Sequence, residues 1–189
     1  SISRAPHMLS GARGRIGTSH KSVWDHMFID GLEDAYTGRA MGSFAQETAD
    51  QRGITRQQMD SFAIESLRRA KRAIDDGSLR AETAPVTVKT RKGEILVTDD
   101  EQPHKAALDK IPTLRPAFAA AGSITAANAS SISDGASALL LMSAAQAQAK
   151  SLRPMARMLA HARHSQAPGE FTIAPIGAIR KLLAKTGWT

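Results

Sequence analysis

Gly122-Ser123-Ile124-Thr125-Ala126-Ala127-Asn128-Ala129-Ser130-Ser131-Ile132-Ser133-Asp134-Gly135 is built almost entirely of small residues. It runs straight into Ala136-Ser137-Ala138-Leu139-Leu140-Leu141-Met142, a continuous apolar stretch of strand length. Such a run predicts a strand buried on both faces, as in a sheet covered by helices. In the loop before it, small side chains let the backbone approach another group closely, and free amides and hydroxyls can grip a polar chain. Two readings fit that loop: a ligand-binding turn, or a tight crossover packed under a neighbouring helix.

Working outward, Ser143 is placed to cap an alanine-rich helix reaching Lys150. Pro154 precedes a second apolar run, Met155 to Ala162. Ala174 to Lys185 reads as an amphipathic helix ended by Gly187. On the N-terminal side, Thr55-Arg56-Gln57-Gln58 is a capping box. Met59, Phe62, Ala63, Leu67, Ala70 and Ile74 follow at three- and four-residue spacing, and Gly77 sits where a left-handed stop is needed. A helix over Ser43 to Arg52 precedes it, ending at Gly53. Pro85 to Lys89 alternates like a strand, Arg91-Lys92-Gly93 is a turn, and Glu94 to Thr98 returns as the second arm of a hairpin. Asp99 to Lys105 reads as a polar loop and Ala107 to Ile111 as a short helix. The opening segment is irregular, with glycines at 11, 14, 17, 31 and 38 and a short helical piece around Val23 to Leu32. The order of elements is α/β, with a sheet whose few strands in the C-terminal part need partners from elsewhere.

The chain has 189 residues, of which 42% are hydrophobic, enough to build a packed core. Aromatics are 4%, which argues against a nucleic-acid platform of stacked rings. Cysteine is absent, so this segment holds no disulfide, thiolate-bound zinc or cysteine nucleophile. No apolar run approaches the roughly 20 residues of a membrane helix. The opening residues lack the apolar core of a secretory signal, and the cytoplasm is the expected compartment. Lysine and arginine total 25 against 18 acidic residues, a net charge of +7. No Lys/Arg run exceeds a pair. A solvated basic surface, attraction of a phosphorylated small molecule and nucleic-acid binding all remain open on charge alone. His161 and His164 have metal-like spacing, but no cysteine or carboxylate nearby completes a shell, so structural or surface histidines are expected. Asp99-Asp100-Glu101 reads as a solvated loop. No glycine-rich phosphate loop or nucleophile elbow is present.

The small-residue loop at 122–135 resembles the thiolase family. The family's phrase stands here as Thr125-Ala126-Ala127-Asn128-Ala129-Ser130, followed by Asp134-Gly135-Ala136. Further matches keep the same order along the chain: Ser3-Arg4-Ala5-Pro6-His7, Asp30-Gly31-Leu32-Glu33-Asp34-Ala35, Met41-Gly42 and Thr55 to Ala63. Leu114-Arg115-Pro116-Ala117-Phe118 and Pro175-Ile176-Gly177-Ala178-Ile179-Arg180 complete the series. Ser130 to Gly135 and Glu101-Gln102-Pro103 are most similar to the bacterial acetyl-CoA acetyltransferase branch.

The resemblance implies a partial thiolase-like fold: an α+β loop domain with a small hairpin, plus incomplete layered α/β core segments. It divides the chain into a loop domain at 1–132, the end of the N-terminal core half at 133–153 and the start of the C-terminal half at 154–189. It implies Claisen condensation of acyl-CoA, or thiolytic cleavage of 3-ketoacyl-CoA, in the complete enzyme. The family's two cysteines and catalytic histidine are expected outside these residues, so no catalytic residue is assigned here and the chain alone is expected to be inactive. Coenzyme A enters as the thioester substrate, with no separate cofactor and no metal. The positions that match the family's coenzyme A lining are Leu32, Met41, Phe118, Ala126, Ala129 and Ser130, with Ser130 toward the pantetheine amide and Leu32 and Phe118 as apolar wall. Ala40 stands where many short-chain members have histidine, and Pro103 where a basic residue is frequent. Phe171 falls in a segment that lines the acyl pocket in relatives. A homo-oligomer, dimer or tetramer, is implied, with His7 to Met27 similar to the family's tetramer-contact excursion; neither nucleic acid nor a membrane is an expected partner. The alternative is a non-catalytic basic binding module derived from a thiolase.

Overall fold

The computed structural model describes residues 2–9 and 20–189. Gly11, Gly14, Gly17, Arg13 and Arg15, with the rest of 10–19 in the 7–27 excursion, lie outside the described residues. Among those described the chain runs β1 (His7–Leu9), β2 (Val23–Asp25), α1 (Met41–Gln51), α2 (Arg56–Asp75), β3 (Val86–Thr90), β4 (Gly93–Val97), α3 (Gln102–Lys105), α4 (Ala144–Ala149) and α5 (Ala174–Thr186). Two compact units result, one of residues 49–130 and one of 1–48 with 131–189.

Within the 49–130 unit, α2 starts as its sequence dictates. The Gln58 amide donates to the Thr55 hydroxyl oxygen at 3.2 Å, and the Thr55 amide donates to Gln58 Oε1 at 2.8 Å. Both halves of the capping box are present. Thr55→Ala is therefore expected to cost about 1 kcal/mol in a urea titration, while Thr55→Asp costs less. At the other end Gly77 adopts φ +74°, the left-handed conformation expected of it.

The covered face of α2 differs from the expected stripe in two places. Phe62 is 79% exposed, and Asp60 is buried beside Ala63. β3 and β4 form the expected antiparallel hairpin, with Val86 opposite Val97 and Val88 opposite Ile95. In an antiparallel pair opposed residues share a face, so these four make one apolar side. After the hairpin, Gln102–Lys105 is a single helical turn with Pro103 buried, where a loop was expected. The expected helix at Ala107 to Ile111 is instead a 3-10 segment, Leu108–Thr113. Pro112 lacks the amide an α-helix would use and disfavours helical dihedrals at Ile111.

In the other unit, β1 and β2 pair antiparallel with His7 opposite Asp25 and Leu9 opposite Val23. Val23 to Asp25 was expected to be helical; pairing with a distant strand overrides that local preference. The remainder of the expected helix survives as a π-helical turn, Phe28–Leu32. Ser3 and Asp134 bridge distant parts of this unit, the Ser3 amide donating to Asp134 Oδ1 at 3.1 Å. Phe44 is buried, and its ring touches the space where a Cβ on Gly169 would sit, at 3.3 Å. Thr48 and Thr172 share a hydroxyl hydrogen bond of 2.9 Å. Asp34 accepts from the Thr37 hydroxyl at 2.6 Å, which holds its carboxyl below the usual carboxylate range.

α4 and α5 are both where expected. Ser143 accepts from the Gln146 amide at 3.2 Å, and Gly187 ends α5 with φ +71°. The apolar runs at Leu139–Met142 and Met155–Leu159 belong to no strand among the described residues. Leu139, Leu140 and Leu141 are 87%, 82% and 75% exposed. The expectation of a strand buried on both faces is therefore not met within these residues. A strand exists only through the partners that take its amides and carbonyls, and none of the described segments supplies them. Among the described residues no helix is long and apolar enough to cross a membrane.

Candidate functional site

The motif 125–130 folds as a tight turn. The Thr125 carbonyl accepts from the amides of Asn128 at 3.2 Å and Ala129 at 3.0 Å, and the Thr125 hydroxyl oxygen accepts from the Ala127 amide at 3.3 Å. Thr125 is completely buried, whereas Ala126 and Ser130 are exposed and Ala129 is half-buried. The small residues thus divide into an inward anchor and an outward surface. Phe118 lies in the loop that closes when the Ala117 amide donates to the Ile124 carbonyl at 2.9 Å, and it is 40% exposed.

A buried polar cluster holds this turn. Asn128 accepts from the Thr125 amide through Oδ1 at 2.7 Å. Its Nδ2 donates to the Ser123 carbonyl at 3.0 Å and to Asp60 Oδ1 at 3.1 Å. Asp60 Oδ2 accepts from Arg56 Nε at 2.6 Å, with side-chain exposures of 7% and 26%. A terminal nitrogen of Arg56 also donates to the carbonyls of Ile111 at 3.0 Å, Leu114 at 3.0 Å and Pro112 at 3.3 Å. One arginine, one carboxylate and one amide therefore tie α2 to the turn and to the 111–114 segment. Charge-assisted bonds of this kind are the strong ones, and desolvation makes each sensitive to losing its partner.

Of the sequence-predicted lining positions, Phe118, Ala126, Ala129 and Ser130 lie in the 49–130 unit. Leu32 and Met41 lie in the other, where an antiparallel bridge between Glu33 and Ala40 sets them on its flanks. Both are half-buried. Pro103 is buried, and the adjacent His104 takes a hydrogen bond from Lys71 at Nδ1, 3.0 Å, with Asp75 at 3.7 Å from Nε2. His164 is committed to packing, its ring lying on Gly177 of α5.

Sequence reasoning missed Arg56 and Asp60, which it read only as part of a helical motif. The available signal was a carboxylate at position 60 in register with Ala63, Leu67 and Ile74, the row that faces inward.

Comparisons with known proteins bear on the family and the fold. The family description "Thiolase, N-terminal domain" matches residues 1–145. An acetyl-CoA acetyltransferase of Pseudomonas aeruginosa is 42% identical over all of this chain and 48% of its own length. One of Chromobacterium violaceum is 41% identical over all of this chain and 49% of its own. The crystal structure of an acetyl-CoA acetyltransferase from Bacillus anthracis superposes with a TM-score of 0.93 at 34% identity, covering the whole of this chain and 48% of that one. A thiolase from Ascaris suum, solved in complex with coenzyme A, gives 0.90 at 38% identity over the whole of this chain and 48% of its own. The chain spans about half the length of the curated relatives it matches. With a matched description over most of its residues and a thiolase-like α/β fold, this chain belongs to the thiolase family.

Proposed function

We propose that residues 1–189 form the coenzyme A-holding portion of an acetyl-CoA acetyltransferase or 3-ketoacyl-CoA thiolase. The observation that carries this reading is the 125–130 turn, anchored inward by Thr125 and Asn128 and presenting Ala126 and Ser130 outward. Small outward residues permit close approach of a slender chain, and the Ser130 hydroxyl can exchange hydrogen bonds with an amide. Phe118 and Ala129, of the same unit as the turn, supply apolar lining; Leu32 and Met41 are proposed as coenzyme A-contacting positions on the thiolase resemblance alone. The positive charge favours encounter with a ligand bearing several phosphates.

In the complete enzyme the chemistry is acyl transfer through a thiolate: the acyl group is held as a thioester, then joined to a second acyl-CoA or released by free coenzyme A. This chain carries no cysteine, so its own part is to bind and orient the substrate. Turnover by residues 1–189 alone is expected to be nil. The complete protein is proposed to be a homo-oligomer located in the cytoplasm; one fungal relative is named as mitochondrial, and cell fractionation distinguishes the two compartments.

Calorimetric titration of coenzyme A into the complete protein tests the reading. Saturable binding is expected, weakened about fivefold by Ser130→Ala, the loss of one hydrogen bond. Absence of binding, together with salt-sensitive retention on DNA, would instead favour a basic binding module.

A further inference from the structure

We propose that Asp60 is a positioning residue for coenzyme A, acting through Asn128 to hold the 125–130 turn in its ligand-receiving shape. This rests on the coenzyme A reading of that turn. Asp60 is 5% exposed and spends its two oxygens on different partners, Oδ2 on Arg56 and Oδ1 on the Asn128 amide nitrogen.

The direction of the Asn128 amide is the point at issue. A primary amide has a donor end and an acceptor end, and rotation by half a turn exchanges them. In the observed orientation Oδ1 receives the Thr125 amide at 2.7 Å, and Nδ2 donates to Asp60 and to the Ser123 carbonyl. The reversed orientation would set oxygen against a carboxylate oxygen and against a carbonyl, and an amide donor against the Thr125 amide. The carboxylate at position 60 therefore reinforces the orientation that the Thr125 amide and the Ser123 carbonyl also select, and holds the Asn128 side chain on α2. Arg56 fixes the carboxylate in turn, because its guanidinium is itself fastened to the carbonyls of Ile111 and Leu114.

An apolar residue at position 60 could fill the same space with less desolvation. It would leave the Asn128 orientation to the Thr125 amide and the Ser123 carbonyl alone, with one acceptor fewer for Nδ2. That orientation sets the Thr125 amide, and Thr125 sets the turn from which Ser130 emerges. The buried charge is thus retained for direction as well as for stability.

Charge-and-amide exchange in the complete protein tests this. Asn128→Asp places two carboxylates in contact while keeping an acceptor for the Thr125 amide. Kd and KM for coenzyme A are expected to rise about tenfold, with kcat at saturating coenzyme A within about twofold of wild type. The double variant Asp60→Asn with Asn128→Asp lets the amide at 60 donate to the carboxylate at 128, and part of the affinity is expected to return, the bond to the Ser123 carbonyl staying lost. Equal coenzyme A affinity in wild type and Asn128→Asp overturns the proposal, as does a double variant that binds no better than the single one. Should Asn128→Asp fail to fold, Asp60→Asn replaces it; that isostere offers one acceptor to two donors, Arg56 and the Asn128 amide, so one of them loses its partner, and an unchanged Kd likewise overturns the proposal. A wild-type protein that binds no coenzyme A overturns the underlying reading and this proposal with it.

Discussion

Asp60→Ala is expected to lower the unfolding free energy by about 3 kcal/mol, measured by urea denaturation followed through far-UV circular dichroism. Two penalties combine. Arg56, three-quarters shielded, is left without its carboxylate, and the Asn128 amide loses an acceptor in a region that admits little water. The side chain of Asp60 is small, so lost packing contributes less than lost pairing. The order of variants separates the two contributions. Asp60→Asn keeps the volume and one acceptor and is expected to cost about 1 kcal/mol. Asp60→Leu keeps packing without any acceptor and is expected to remain close to alanine. An Asp60→Ala protein within about 0.5 kcal/mol of wild type would show that the pair merely offsets its own desolvation.

The second large effect lies in α5. A Cβ built on Gly177 would lie under 3.0 Å from three atoms of the His164 ring. No carbon contact is tolerated at such distances, so Gly177→Ala must displace the ring or move the helix. Overpacking of this kind costs about 2 kcal/mol. On helix propensity alone the same substitution would be worth about 1 kcal/mol in the opposite direction. The sign therefore depends on His164. In a His164→Ala background the obstruction is gone, and Gly177→Ala is expected to become neutral or stabilising. A double-mutant cycle in chemical denaturation reads the difference as coupling between the two sites; additive effects would refute the contact.

The parts of the fold legible in the sequence were those decided within a few residues. The capping box at Thr55, the hairpin around Arg91-Lys92, Ser143 at the start of α4 and Gly187 after α5 each depend on neighbours three or four positions away. The departures arose where distant segments intervened. Val23 to Asp25 pairs with β1 instead of coiling; the exception is local, Pro112 turning an expected α-helix into a tighter one. The leucines at 139–141 carry the composition of an interior strand, yet composition specifies only a willingness to pair and leaves the partner unstated.

The candidate site divides in the same way. Its outward residues were legible because the 125–130 phrase resembles a family that binds coenzyme A. Its support was not, because Asp60 looks like one more surface carboxylate until α2 is wound and the row through Ala63 is seen to face inward. Arg56 carried even less signal, since three of its bonds go to backbone carbonyls, whose positions no side-chain pattern records.

The division into two units bears on the order in which a nascent chain can acquire structure. Residues 49–130 are contiguous, so every partner in that unit is available once Ser130 has left the ribosome. The other unit joins 1–48 to 131–189, and contacts such as Ser3 with Asp134 or Thr48 with Thr172 must wait for the later segment. Bringing those ends together across an unstructured intervening stretch carries a closure entropy that grows with the logarithm of its length. If the intervening stretch has already collapsed into a folded body, the effective tether is shorter and the search correspondingly faster. The arginine–aspartate–asparagine cluster, lying wholly within the contiguous segment, thus belongs to the part of the protein that can fold while synthesis is still under way.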